Sequence, residues 1–173
     1  MNTILIKEQP NKKTSELLEE CKSLFPVWSY YNDERLDSDF PAPKEATERY
    51  FLNSVEPDEV TLGKSTREAD PDMNGITLRE RIIMEIDYFK NTGKHLDIKG
   101  LTFCSGSRYS DGCVPYADWL GGKFKVGWSY LDYCNSDYGI RSGVALDSSS
   151  LLPLSLERAI GMVVMAGYKV SKE

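Results

Sequence analysis

Three side chains close together in the sequence have the types a thiol enzyme needs. Cys104 is a candidate nucleophile, His95 is the chain's single histidine and a candidate base, and Asp97 could orient the imidazole. His95 with Cys104, Cys113 and Cys134 also supplies zinc-ligand types, but without the short paired spacing of structural zinc sites. His95 follows a helix stop at Gly93 and Lys94, where a loop histidine without a chemical role is the simpler reading. Asp37, Asp39, Glu56, Asp58 and Glu59 offer carboxylate oxygens for weak calcium binding, and read most simply as solvated loops. No glycine-rich phosphate loop with a lysine is present, and no basic aromatic platform for RNA. The expectation is no catalytic residue, no metal and no cofactor, with a small thiol-dependent enzyme as the weakest alternative.

A different chemistry is concentrated between Cys104 and Gly139. Of these 36 positions, 24 are Tyr, Ser, Gly, Asp, Cys or Asn, and half of the chain's ten tyrosines fall here. A core segment would be dominated by Leu, Ile, Val and Ala. Tyrosine instead offers a large amphipathic contact at the cost of two rotatable angles, and small polar residues adapt their hydrogen bonds around it. Lys and Glu are scarce in the segment, and long flexible charges are depleted at contact surfaces. The composition points to recognition. The plain alternative is a half-buried β-meander with polar turns.

The whole-chain composition sets limits. A length of 173 residues fits one domain, 1–173, large enough to bury its own core. An apolar fraction of 40% with 28% charged residues describes a globular protein. The net charge of -6 argues against sequence-independent nucleic-acid binding. No apolar run reaches the roughly 18 residues of a membrane span, and Met1 to Pro10 lacks the pattern of a signal peptide. The expected location is the cytoplasm or a particle assembled there. Four cysteines without a CxxC pair read as free thiols, and a Cys113–Cys134 disulfide would require oxidation.

The elements that position these residues follow from periodicity. Thr3–Ile6 reads as an edge or terminal strand. Thr14 is a candidate cap for a helix over 15–25, which Pro26 stops, and Val27–Tyr31 reads as a strand. Asn32–Pro43 reads as a polar loop, Pro43–Leu52 has helix-forming composition, and the acidic stretch Asn53–Gly75 reads as loop with short helical turns. Thr77-Leu78-Arg79-Glu80 is a capping box that opens a helix over Leu78–Thr92, with Leu78, Ile82, Ile86 and Phe89 on one stripe and Gly93 as its left-handed stop. Strands are expected at Leu101–Cys104, Val114–Trp119 and Lys123–Ser129, the last two joined by a Gly121-Gly122 turn. Ile140–Leu146 alternates again. A closing helix over 156–166, capped by Ser155, carries Leu156, Ala159, Ile160, Val163 and Val164 on its apolar side, and Tyr168–Val170 can form a last strand.

Three segments also carry a family resemblance. Ser107-Arg-Tyr-Ser-Asp-Gly-Cys-Val-Pro-Tyr-Ala-Asp-Trp119, Val126-Gly-Trp-Ser-Tyr130 and Tyr138-Gly-Ile-Arg-Ser-Gly-Val144 look like the variable region of proteins diversified by retroelements. In that family an error-prone reverse transcriptase mutates template adenines, scattering Asn codons into Tyr, Asp, Ser, Gly and Cys but never into a stop. Tyr109, Ser110, Asp111, Cys113, Tyr116, Asp118, Gly127, Ser129, Tyr130, Asp132, Tyr133, Cys134, Asn135 and Tyr138 fit that spectrum. Val114, Pro115, Trp119, Phe124, Val126, Trp128, Ile140, Arg141 and Val144 between them read as scaffold. The resemblance implies a C-type-lectin-like fold, here an α+β domain with a small twisted, mostly antiparallel sheet flanked by helices. Glu56-Pro57-Asp58 is similar to one lectin calcium triplet, but no Trp-Asn-Asp partner exists, so calcium-dependent sugar binding is not implied.

The expected function is therefore display. A variable region, 104–139, would bind a macromolecular target, with protein as the expected class, through Tyr109, Asp111, Cys113, Tyr116, Asp118, Tyr130, Asp132, Tyr133, Asn135 and Tyr138. In Val114–Trp119, Tyr116 and Asp118 share one face while Ala117 and Trp119 share the other. No nucleic-acid partner and no membrane insertion are expected. The alternative is a phage or viral structural or attachment protein with a fixed Tyr-rich interface.

Overall fold

The computed structural model describes residues 3–145. The expected helix over 156–166 and the strand Tyr168–Val170 lie outside the described residues. Within them the order is β1 (Thr3–Lys7), α1 (Thr14–Leu24), β2 (Val27–Ser29), α2 (Asp33–Asp39), β3 (Glu48–Leu52), a 3-10 turn (Glu59–Thr61), α3 (Thr66–Ala69), α4 (Leu78–Thr92), β4 (Leu101–Phe103), β5 (Val114–Leu120), β6 (Lys123–Ser129), β7 (Tyr138–Ile140) and β8 (Val144–Ala145). The architecture is mixed α+β. In place of one mostly antiparallel sheet there are two, an antiparallel β1-β3-β8 and a mixed β2-β6-β5-β4-β7.

Local sequence signals place the strongest elements where expected. Thr77 accepts from the Glu80 amide, the Glu80 carboxylate accepts from the Thr77 amide, and Gly93 ends α4 in the left-handed conformation at φ 67°. The β5–β6 hairpin turns through Gly121 and Gly122 at φ 65° and 73°, values that side chains resist. Its register pairs Ala117 with Val126 and Trp119 with Phe124, so those residues share the inner face.

Elsewhere tertiary contacts override local composition. The helix-forming stretch Pro43–Leu52 yields β3 instead, because Glu48–Leu52 pairs with β1 along its whole length and with β8 at Arg49 and Tyr50. The expected loop Asn32–Pro43 contains α2, capped by the Asn32 side chain on the Arg35 amide. Thr14 is not a cap. It is the first helical residue of α1, and its hydroxyl donates to the Phe40 carbonyl and accepts from Arg79. Asp37 of α2 instead accepts from the Ser15 amide and hydroxyl, so α2 caps α1. The Ile140–Leu146 strand is split: β7 ends at Ile140 in the larger sheet and β8 joins the smaller one.

The larger sheet is packed on both faces. Inside, α1 and α4 press Leu17, Leu18, Cys21, Ile82 and Ile86 onto Ala117, Phe124 and Val126. Outside, Leu101, Phe103, Val114 and Ile140 form a second, smaller cluster. Charged residues also lie deep. Arg81 bonds Glu85 at 2.8 Å and Asp97 at 2.9 Å, and Asp97 also bonds Arg141 at 2.5 Å, with all four side chains fully buried. Arg141 donates as well to the carbonyls of Ser54 and Val55 and to the Thr102 hydroxyl. One guanidinium thus ties the end of β7 to β4 and to the chain after β3. Among the described residues no helix is long and apolar enough to cross a membrane.

Candidate ligand-binding face

Strand directions decide where the Tyr-rich loops meet. β2, β6, β4 and β7 run parallel and β5 alone runs against them. The turn after β2, the loop 104–113 after β4 and the loop after β6 therefore leave the sheet at one end. From there residues 130–137 return to the start of β7, crossing the outer face past β5 and β4. Leu131 anchors this crossover in the outer cluster. Arg67 of α3 grips it from above, its amide donating to the Leu131 carbonyl and its guanidinium meeting Asp132 at 2.6 Å. The Gly63 amide holds the Tyr138 carbonyl.

The acidic stretch Asn53–Gly75 thus acts as a bracket. Glu56 accepts from the amides of Lys99 and Gly100, Asp58 accepts from the Ser142 amide at 2.6 Å, and Asp70 accepts from Asn74 and Gly75. Backbone donors already engage the carboxylates of the calcium-like triplet. Among the described residues no three His, Cys, Asp or Glu converge as a metal-holding group.

The expected binding residues divide into three sets. Tyr130, Asp132, Tyr133 and Asn135 on the crossover and Asp111 on the loop after β4 are exposed, Tyr130 to 65%. Cys113, Tyr116 and Tyr138 are half-buried. Tyr116 lies over Gly127, where a Cβ would come within 2.5 Å of its ring, so this glycine is the seat of the tyrosine. Asp111 accepts from the Cys113 amide and faces Arg35 at 3.6 Å, and these partners hold its carboxyl below the ordinary range.

Tyr109 and Asp118 are not displayed. Tyr109 is 3% exposed, packed against Tyr31 at 4.5 Å and Phe40 at 4.7 Å, and burial drives its phenol far up. It plugs the loop 104–113 into the core, where a buried aromatic contributes more than one in solvent. Asp118 is 7% exposed, and burial raises its carboxyl to about 6 against the pull of Lys125 across the ladder. One of its oxygens is buried without a partner.

Two exposed aromatics outside 104–139 join the face. The triplet Trp-Ser-Tyr occurs twice, at Trp28–Tyr30 and Trp128–Tyr130, on neighbouring parallel strands. Trp28, Tyr30, Trp128 and Tyr130 form a continuous row with ring centroids 6.5, 6.1 and 5.2 Å apart. The β2–β6 register sets the triplets three residues out of step, Trp28 opposite Lys125 and Ser29 opposite Val126, so no local sequence signal announces this row.

The candidate thiol site does not assemble. Asp97 bonds Arg81 and Arg141, and its carboxyl lies below the ordinary value because those charges outweigh the opposing effect of burial. His95 bonds Glu85 through Nδ1 at 2.9 Å and stacks on Trp119 with centroids 3.3 Å apart. Cys104 is fully buried, and that burial raises its thiol, the opposite of activation. The four cysteines are free, Cys113 half-buried and Cys134 exposed. Compared with known protein families, curated proteins and solved structures, the chain matches none.

Proposed function

We propose that this chain is a ligand-binding display protein, a C-type-lectin-like domain whose Tyr-, Asp- and Ser-rich face is diversified by adenine-directed mutagenesis. Its target is a macromolecule, with protein as the class the face suits. The observation that carries this reading is the exposure of the crossover. Tyr130, Asp132, Tyr133, Cys134 and Asn135, with Ser110 and Asp111 on the loop after β4, are within the Asn-codon spectrum and exposed, while Val114, Pro115, Phe124, Val126, Ile140 and Arg141 are buried, together with Asp118 and Gly127 of that spectrum. A crossover anchored by one leucine and an external arginine lets its other side chains change without repacking a core. Aromatic contacts then supply area, and a prearranged loop keeps the ordering cost of binding low.

The test is nucleotide sequencing around the gene. A near-copy of the DNA for 104–139, differing mainly at adenines and lying beside a reverse transcriptase, is the expected result. The codons of Tyr130, Asp132, Tyr133 and Asn135 should be among the differing ones, and those of Val114 and Phe124 should not. Without such a copy the diversification reading fails, and a fixed interface of a phage or viral structural protein takes its place.

A further inference from the structure

Strand alternation puts Asp118 on the outer face of β5 with Tyr116, since Ala117 and Trp119 pack inward. Among the described residues Glu8, Asp58, Asp70, Glu80, Glu85 and Asp97 are also buried carboxylates, and each accepts a hydrogen bond from a neighbouring donor. Asp118 differs. Its Oδ1 is buried without a partner, and no hydrogen bond helps to hold its charge. Lys125 stands opposite on β6 and acts on it only through space. A buried carboxylate without a donor weakens the fold, and such costs concentrate where a site uses the group.

Three tyrosines stand around it. Tyr116 is two residues away on the same face, and Tyr138 opens β7 on the far side of β4. Burial first, and then neighbouring charges that include Asp118, push both phenols up. Tyr133 on the crossover lies 6.1 Å from Tyr138, ring to ring, at 49°. Tyr116 and Tyr138 are half-buried and Tyr133 is 48% exposed, so the group is open at its outer end. Asp137, exposed beside Tyr138, adds a second negative charge there.

We propose that Asp118, Tyr116, Tyr133 and Tyr138 form a cation-recognition site, and that it takes a lysine or arginine side chain of the target protein. The carboxylate finds its missing donor in the cation, and the aromatic faces attract the same charge through their quadrupoles. A chain of net charge -6 favours basic partners over acidic ones. The inference rests on the reading that this face binds a protein, and gives that reading one specific contact.

Titration of the full chain with N-acetyl-lysine amide and N-acetyl-arginine amide tests it, followed by NMR of the tyrosine ring protons at about pH 8. There the carboxyl, which burial raises to about 6, is ionised. At least one probe should shift the Tyr116, Tyr133 and Tyr138 rings saturably, with a Kd on the order of 1–10 mM for so small a ligand. Asp118→Asn, which removes the charge at nearly constant volume, should weaken binding about tenfold or more. Tyr133→Ala, on the exposed crossover, should weaken it about two- to fivefold, and decides the matter should the Asp118 variant fail to fold. No saturable shift with either probe overturns the proposal. So do equal binding of neutral N-acetyl-norleucine amide, equal shifts from potassium chloride, or an unchanged affinity in either folded variant. None of these results depends on the DNA beside the gene: a missing near-copy leaves a positive titration standing, and a failed titration leaves the diversification reading to the sequencing.

Discussion

The two faces of the five-stranded sheet are held in opposite ways. The inner face carries packed aromatics, two helices and four buried charges that bond one another. The outer face carries four buried apolar residues and a crossover tied down by Leu131 and by Arg67. Inner contacts are specific and shared: Asp97 serves two arginines and Arg141 serves three segments. Around the crossover the side-chain anchors are joined by backbone hydrogen bonds, the Arg67 amide to the Leu131 carbonyl and the Gly63 amide to the Tyr138 carbonyl, which do not depend on side-chain identity. A protein that must vary one surface while conserving its fold needs this asymmetry.

The largest effects should come from the inner side. Asp97→Ala leaves Arg81 and Arg141 buried and facing each other, and should cost about 3–5 kcal/mol in denaturant unfolding. Because Asp97's folded value is depressed, its contribution is present above the ordinary carboxylate range and disappears as pH falls through the lower folded value. A loss below 1 kcal/mol would show that the network is not what holds the face. Tyr109→Ala tests the same boundary from within the Tyr-rich stretch. It should cost about 3 kcal/mol or more, as for a buried aromatic, although its residue type matches the displayed set.

That last case shows what sequence could convey. The capping box of α4, Gly93 and the Gly121-Gly122 hairpin were legible because each is a short-range rule satisfied by adjacent residues. β3 was not, since Lys44, Glu45, Ala46 and Glu48 favour a helix locally and only pairing with β1 and β8 decides otherwise. Tyr109 and Tyr130 are the same residue in similar surroundings of Ser and Asp, and only the packing of Tyr31 and Phe40 onto one of them separates core from surface. Arg81 and Glu85 carried no signal in the sequence, and Asp97 read there as a group that could orient His95, because ion pairing across sequence separation leaves no periodic trace. The Tyr-rich face was visible as composition, whereas its bracket, 53–75, was visible only as an unexplained acidic loop.

Asp118→Asn should act in the opposite direction. Its folded carboxyl titrates near 6, above the ordinary 3.8, so the native state holds a proton that the unfolded chain releases. Wild-type stability from this group is therefore highest below pH 4 and is lost as pH rises toward 6. The difference between variant and wild type in unfolding free energy should grow over that window, to on the order of 2–3 kcal/mol in favour of Asn at pH 7. A difference independent of pH would place the carboxylate in contact with water or a partner. Gly127→Ala should be milder, about 1–3 kcal/mol destabilising, because the new methyl meets the Tyr116 ring, which must tilt outward. Pairing it with Tyr116→Ala should recover part of that loss.

The smallest effects should come from the crossover, and they sharpen the comparison most. Tyr130→Ala and Tyr133→Ala remove rings that are largely in solvent, and each should change unfolding free energy by no more than about 0.5 kcal/mol. Arg67→Ala removes a solvent-exposed ion pair and should leave the denaturation midpoint unchanged. It should nevertheless speed amide exchange in 130–137, because the guanidinium no longer holds Asp132, while exchange in β5 and β6 stays as it was. A substitution that loosens the loop without touching the sheet would establish that the two are energetically separate, which is the condition a varied surface has to meet. If instead exchange in β5 rises with that in 130–137, loop and sheet form one cooperative unit, and changes at Tyr130 or Asp132 cannot be free of cost to the fold.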